Sequence, residues 1–223
     1  MKSLKIFKDT KIKAFFTTRS TGSEISEICI KLGIPKNSVY LPLQRHTDNV
    51  QVLHNDQEPK IADAVITNRM GILIGVQVAD CVPILLYDKK RHIVGAVHAG
   101  WRGTAAGILK NTIKAMMDSF SSSPRDILVA FGPSIRWCCY GVGYEVIDAI
   151  EKITGKGEYY IKRGDKYYLD LQSANKYQLL SMGVPTENIG LSDECTFCLP
   201  EKYFSFRFAK GATGRQYGLI GIL

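Results

Sequence analysis

Histidine is scarce in this sequence: four in 223 residues, His46, His54, His92 and His98. A copper array built on many imidazoles is short of ligands here, and any metal or proton chemistry falls on few positions. Long apolar runs are absent too, and no stretch approaches the roughly 20 residues of a membrane-spanning helix. The opening MKSLKIFKDTKIKAFFTT interleaves lysines where a signal peptide carries an unbroken apolar core and a small-residue cleavage site. The expectation is a cytoplasmic protein with no membrane partner. Also missing are a Walker A loop, a G-x-G-x-x-G fingerprint, the H-x-E and P-C-x-x-C signature of zinc deaminases, internal repeats and low-complexity segments.

What is present reads as an ordinary globular chain, 45% hydrophobic and 22% charged. The net charge of +8 comes from cations spread along the sequence without a long basic run. Solvated faces explain that pattern better than a nucleic-acid footprint, so no nucleic-acid partner is expected. A positive field would still steer phosphate or an anionic substrate into a cleft. Without an export signal, Cys29, Cys81, Cys138, Cys139, Cys195 and Cys198 read as reduced thiols.

Hydrophobic periodicity predicts a strand over 12–17, a helix through Ile25, Ile28, Cys29 and Leu32, and two short strands broken at Gln44–Thr47. A strand in IADAVITN follows, then one ending near Val78, a turn through 79–81, a strand from Ile84 to Tyr87 beyond Pro83, and one ending at His98. Thr104 is the expected N-cap of an amphipathic helix running to Phe120. Downstream, DILVAF, a hairpin around 163–165, NIGLSD, YFSFRF and YGLIGIL read as strands, and YEVIDAIEKIT and LQSANKYQLLS as helices. Helices and strands alternate irregularly with no composition break, which predicts one α+β domain with a mixed sheet.

Gly71–Thr104 carries the densest chemistry. Cys81 follows one apolar run, His98 ends another, and His46 sits in a turn where a side chain projects into a cleft. Taken singly, each has a blander reading as a buried hydrophobe or a satisfied structural histidine. Together, two histidines and a thiolate make a zinc ligand set with a fourth position open, suited to activating water or polarising a leaving group. The same residue types fit copper, or a Cys81 nucleophile with His98 as base.

After His98, Gly100 and Gly103 permit close backbone approach, and Arg102 in that turn, with Arg19 in the Thr-Thr-Arg turn, is a candidate anion grip. Arg45, beside His46, could converge on the same pocket but reads better as a carbonyl cap or a surface residue. Asp63 and Asp80 are possible proton-transfer or ligand-orienting carboxylates, with Asp63 read as satisfying turn amides. His54 and His92 read as surface residues. Cys195-x-x-Cys198 has only Cys138-Cys139 as partners. Adjacent cysteines rarely supply two ligands to one tetrahedral ion, so a structural zinc there is the weaker reading.

QRHTDNV, ADAVITN, VQVADCVPILLYD, AVHAGWRGT, AFGPSI, CCYGVG, YFSFR and TGRQYGLIGI occur in the order found in one family. From the first Thr-Thr-Arg to the last strand, the chain resembles the bacterial YfiH/YlmD-like proteins, formerly called laccase-domain or polyphenol oxidase proteins, with the human relative FAMIN. The resemblance implies a single domain over 1–223 with a mixed β-sandwich flanked by helices. It further implies zinc-dependent phosphorolysis of purine nucleosides (inosine, adenosine, guanosine, methylthioadenosine), with adenosine deamination in the same site. His46, Cys81 and His98 are the implied ligands and catalytic residues, with purine nucleosides and phosphate as partners. A Cys-His hydrolase editing peptidoglycan precursors, and a copper-dependent polyphenol oxidase, are the implied alternatives. Two positions depart from the family pattern: Ser20-Thr21-Gly22 replaces a glycine pair, and Thr47 replaces the glycine after His46.

Overall fold

The computed structural model describes residues 4, 6–7, 11–55 and 58–222. The first half runs β1 (Ile12–Phe16), α1 (Ile25–Leu32), β2 (Val39–Tyr40), β3 (Val50–Val52), β4 (Ala64–Thr67), β5 (Leu73–Val78), β6 (Val82–Asp88) and β7 (Ile93–Ala99). Then come α2 (Trp101–Ala105), α3 (Ile108–Phe120), β8 (Ile127–Phe131), β9 (Gly141–Val142) and α4 (Tyr144–Thr154). The chain closes with β10 (Tyr160–Arg163), β11 (Lys166–Leu169), α5 (Leu171–Ser181), β12 (Ile189–Gly190), α6 (Phe206–Ala209) and β13 (Gln216–Ile222).

Alternation along the buried strands sorts these elements into layers. On β6, Val82, Ile84 and Leu86 face a core shared with Ile108, Ile113 and Met116 of α3, Ile147 of α4 and Leu179 of α5. The intervening Leu85 and Tyr87 face the other way, toward Ile74 and Val76 of β5 and Ile220 of β13. β5 and β13 repeat the pattern: Leu73, Tyr217 and Leu219 turn outward onto Ile28 and Cys29 of α1. Two mixed sheets therefore pack face to face with helices on both outer sides. The larger has the order β12-β8-β6-β7-β4-β3 and the smaller β1-β13-β5-β2; β10-β11-β9 form a third, short sheet. In the larger sheet β3 and β12 run parallel to their neighbours and the inner pairs are antiparallel. This is the expected α+β fold, a mixed β-sandwich flanked by helices.

Three local expectations are corrected. Pro83 lies inside β6, opposite His98. The β8 ladder starts one residue later at Ile84, so the missing proline N–H falls where no partner is needed, and the Pro83 carbonyl still accepts from Gly132 N–H at 2.8 Å. The helix after His98 begins at Trp101 and breaks at Gly107, which has φ +79. Thr104 is therefore not its cap but a buried hydroxyl accepting from Asn175 Nδ2 at 2.9 Å. YFSFRF is not a strand: Ser205 caps α6, its hydroxyl accepting from Phe208 N–H at 3.1 Å, and Phe206 and Phe208 are exposed.

Candidate metal centre

Three segments meet beside the end of the six-stranded sheet. β7 delivers His98, the turn between β5 and β6 delivers Cys81, and the loop between β2 and β3 delivers His46. Their ligand atoms lie within 4.8 Å of one another, and the two imidazoles meet edge to face with centroids 4.8 Å apart. His98 is buried, Cys81 half-buried and His46 exposed, so the cluster opens on the His46 side.

Asp63, just before β4 and fully buried, organises two of the three. Its carboxylate accepts the backbone N–H groups of Arg45 and His46 at 3.1 Å and of Thr47 at 2.7 Å. It also accepts the Thr47 hydroxyl at 2.8 Å and His98 Nδ1 at 2.7 Å. Three successive amides can converge in this way because His46 adopts φ +59, a left-handed conformation that curls the backbone around the anion. Burial opposes the Asp63 charge, but the hydrogen bonds from His98 and Thr47 outweigh it and hold the carboxyl well below the usual range. An ionised carboxylate only accepts, so His98 Nδ1 carries the hydrogen and Nε2 is the ring nitrogen left to face the cluster. Asp63 thus satisfies turn amides, as expected, and orients a histidine as well. The unusual Thr47 adds a fifth donor to the same carboxylate.

Other contacts fix the remaining pieces. Gln44 clamps the His46 loop to β5: its Nε2 donates to Gln77 O at 2.9 Å and its Oε1 accepts from Gln77 N–H at 2.8 Å. Asp80 has φ +84, so the turn is not extended. Its carboxylate accepts the Thr196 hydroxyl at 2.6 Å and Arg207 N–H at 2.7 Å, while the next residue presents its sulfur to the histidines. Gly100 is required by contact: a Cβ there would lie 2.8 Å from Cys81 Sγ and 3.3 Å from His46 Cδ2. Burial raises the Cys81 thiol, but the charge on His98 and a hydrogen bond to His46 overcome this and lower it to about 6. The reciprocal effect raises His98 to about 9 against its own burial. Two imidazoles and a readily ionised thiol, one imidazole oriented by a carboxylate, fit a zinc ion.

The cluster lines a cavity of about 390 Å³, within the range of small-molecule sites. Tyr140 and Phe206 supply aromatic walls, and Arg207 and Arg215 supply positive charge. Burial and the nearby Cys81 push the Tyr140 hydroxyl up to about 12, so it stays protonated at neutral pH. Arg19 and Arg102 do not line this cavity. Arg19 donates to the carbonyls of Pro200 and Tyr203 and stacks on Phe204, and Arg102 lies over Trp101. His92 pairs with the Tyr87 hydroxyl and His54 lies near Phe120, both away from the cluster. A larger cavity of about 520 Å³ opens by Phe16, Phe131 and Tyr203, but no histidine or cysteine lines it.

Sequence reasoning missed Gln44, Tyr140, Phe206, Arg207 and Arg215 as cavity residues. Tyr140 and Arg215 were in view, in CCYGVG and TGRQYG. Phe206 and Arg207 were hidden by the strand reading of YFSFRF.

Comparison with known proteins identifies the family and the fold. Residues 17–223 match the model of a family described as multi-copper polyphenol oxidoreductase laccase. The chain is 39% identical over 170 residues to the purine nucleoside phosphorylase YlmD of Geobacillus stearothermophilus, covering 71% of this chain and 59% of that protein. A purine nucleoside phosphorylase of Clostridium acetobutylicum is 36% identical over 96% of this chain and 93% of its own length. An adenosine deaminase, RL5, from an unknown prokaryotic organism is 35% identical over 85% of this chain and 77% of its own length. The crystal structure of YlmD from Geobacillus stearothermophilus superposes with a TM-score of 0.89 at 29% identity, covering 98% of this chain and 94% of that one.

Proposed function

The chain belongs to the multi-copper polyphenol oxidoreductase laccase family, to which the YfiH/YlmD-like proteins are related, and from that premise we propose that it is a zinc-dependent purine nucleoside phosphorylase. Adenosine deamination is assigned to the same site. The observation that carries the reading is the convergence of His46, Cys81 and Asp63-oriented His98 in the lining of a cavity of about 390 Å³. Among the described residues only two of the four histidines reach it, too few for a multi-copper array.

In this reading His46 Nε2 or Nδ1, Cys81 Sγ and His98 Nε2 hold the ion. When bound, zinc supplies Lewis-acid polarisation in the cavity. The chain's own groups do the rest. Tyr140 and Phe206 flank the base by stacking and exclude water from it. Arg207 and Arg215 draw phosphate to the ribose face; a phosphate oxygen bonds to C1′ as the C1′–N9 bond breaks and its electron pair leaves with the purine. Deamination places water at C6 of adenosine in the same cavity and releases ammonia. Inosine, guanosine and methylthioadenosine are further proposed substrates. The chain is proposed to act as one domain over 1–223, in the cytoplasm; among the described residues no helix is long and apolar enough to cross a membrane.

The test is product analysis. Inosine should yield hypoxanthine and ribose 1-phosphate, with release strictly dependent on added phosphate. His98→Ala should lose both phosphorolysis and deamination; full phosphorolysis by that variant with its metal retained would end the assignment. One observation favours a second reading, a Cys-His hydrolase acting on peptidoglycan precursors: the lowered Cys81 thiol beside His98. That activity would survive chelation and be abolished by thiol alkylation.

A further inference from the structure

A second cluster of metal-ligating side chains lies behind the wall of the cavity and takes no part in the chemistry above. Cys138, Cys139, Cys195 and Cys198 come from two loops far apart in sequence, yet their four sulfurs lie within 4.8 Å of one another. All four are free thiols, with Cys195 buried and Cys138 and Cys198 reaching the surface.

The local backbone resolves the objection that neighbouring cysteines cannot serve one ion. In a strand, Cys138 and Cys139 would point to opposite faces. Here they lie in a helical-type turn in which Cys139 and Tyr140 both donate to Arg136 O at 2.9 Å. Successive side chains then diverge by about 100° rather than 180°, and both reach the same side. Cys195 and Cys198 bracket a tight turn closed by Leu199 N–H on Cys195 O at 3.2 Å.

The spacing suits one tetrahedral ion. A tetrahedral zinc with Zn–S bonds of about 2.3 Å has sulfur–sulfur edges of about 3.8 Å. Cys138 and Cys198 are 3.7 Å apart and Cys139 and Cys198 3.3 Å, two edges within about 0.5 Å of that value, and no two of the four sulfurs are more than 4.8 Å apart. The loops are also docked without an ion. Ser134 forms a parallel bridge with Cys195, Thr196 N–H donates to Ser134 O at 3.1 Å, and the Arg136 guanidinium ties Ser192 O to Asp170.

We propose that Cys138, Cys139, Cys195 and Cys198 form a closed four-thiolate zinc site that staples the 136–140 turn to the 195–198 loop. Its position gives it a task. Thr196, next to Cys195, holds the Asp80 carboxylate at 2.6 Å, and Ile135 N–H donates to Asp80 O at 2.9 Å. Asp80 directly precedes Cys81, and Tyr140, next to Cys139, forms the cavity wall. The staple therefore secures two sides of the first centre without sharing a ligand with it. The inference does not rest on the phosphorylase reading.

The experiment is zinc stoichiometry and thiol titration on the whole chain, purified in reductant without chelator. The wild type should carry about two zinc ions per chain, one held in a closed tetrahedral site. Cys198→Ser and, separately, Cys138→Ser should fall to about one, with Cys81 still protected from alkylation by the remaining ion. His98→Ala should keep the cluster's ion. In the unmodified chain, which requires no variant to fold, a thiol reagent should release the second zinc in step with modification of these four cysteines. The proposal is overturned if wild type and Cys198→Ser hold equal zinc. It is equally overturned if the four thiols react freely in zinc-loaded wild type, or if mass spectrometry finds them joined as a disulfide in protein kept in glutathione.

Discussion

Replacing Asp63 by Asn isolates what the buried carboxylate contributes. Oδ2 takes three donors, Arg45 N–H, Thr47 N–H and the Thr47 hydroxyl; Oδ1 takes His46 N–H and His98 Nδ1. An asparagine keeps one acceptor, and the three-donor side claims it. The new NH₂ then faces His46 N–H and His98 Nδ1, two donors against a donor. His98 can answer only by moving its hydrogen to Nε2, which removes the lone pair needed at the cluster. Each charge-assisted bond contributes about 1.5–3 kcal/mol, so losing two, less the one new amide–imidazole bond, should cost roughly 3 kcal/mol of stability. Zinc affinity should fall about 10–100-fold, the usual effect of removing a carboxylate behind a histidine ligand. Denaturant unfolding of the metal-free proteins reads the first effect, and competition against a chromophoric chelator the second. The reasoning is refuted if Asp63→Asn stays within about 0.5 kcal/mol of wild type and binds zinc equally well.

Further outcomes follow from the same geometry. Gly100→Ala should fold normally, because φ −76 and ψ 174 suit any residue, yet its Cβ would press on Cys81 Sγ and His46. A displacement of that kind should cost on the order of 100-fold in turnover, read beside an unchanged melting curve. Alkylation of metal-free protein by iodoacetamide should begin at Cys81, with a rate that rises as pH increases through about 6, because the thiolate is the nucleophile. Peptide mapping that placed the Cys81 midpoint above 8 would contradict this.

Much of the architecture was legible because burial leaves a periodic trace. The strand at 73–78, the helix at 25–32 and the closing strand all follow from alternation or helical spacing that the layers then use. The errors came where tertiary contact overrides local pattern. Pro83 is tolerated in a central strand because the neighbouring ladder begins after it, and no local rule sees a neighbour's end. The aromatic alternation of YFSFRF mimics a strand, but the Ser205 cap and the pull of Asp80 on Arg207 N–H curl it into a helical turn. His46, Cys81 and His98 were identifiable through residue type and family pattern together; neither turn geometry nor spacing would have chosen them alone. Arg207 and Arg215 reach the cavity from segments more than a hundred residues along the chain from His98, a convergence that periodicity does not encode.

The central claim, that His46, Cys81 and His98 hold the ion on which catalysis depends, is best tested by adding zinc stepwise to metal-stripped protein. Hypoxanthine release from inosine in phosphate and protection of Cys81 from alkylation are followed on the same samples. The two should rise together and saturate at the same zinc-to-protein ratio. Full release while Cys81 still alkylates freely, or undiminished release in excess chelator, would contradict the account.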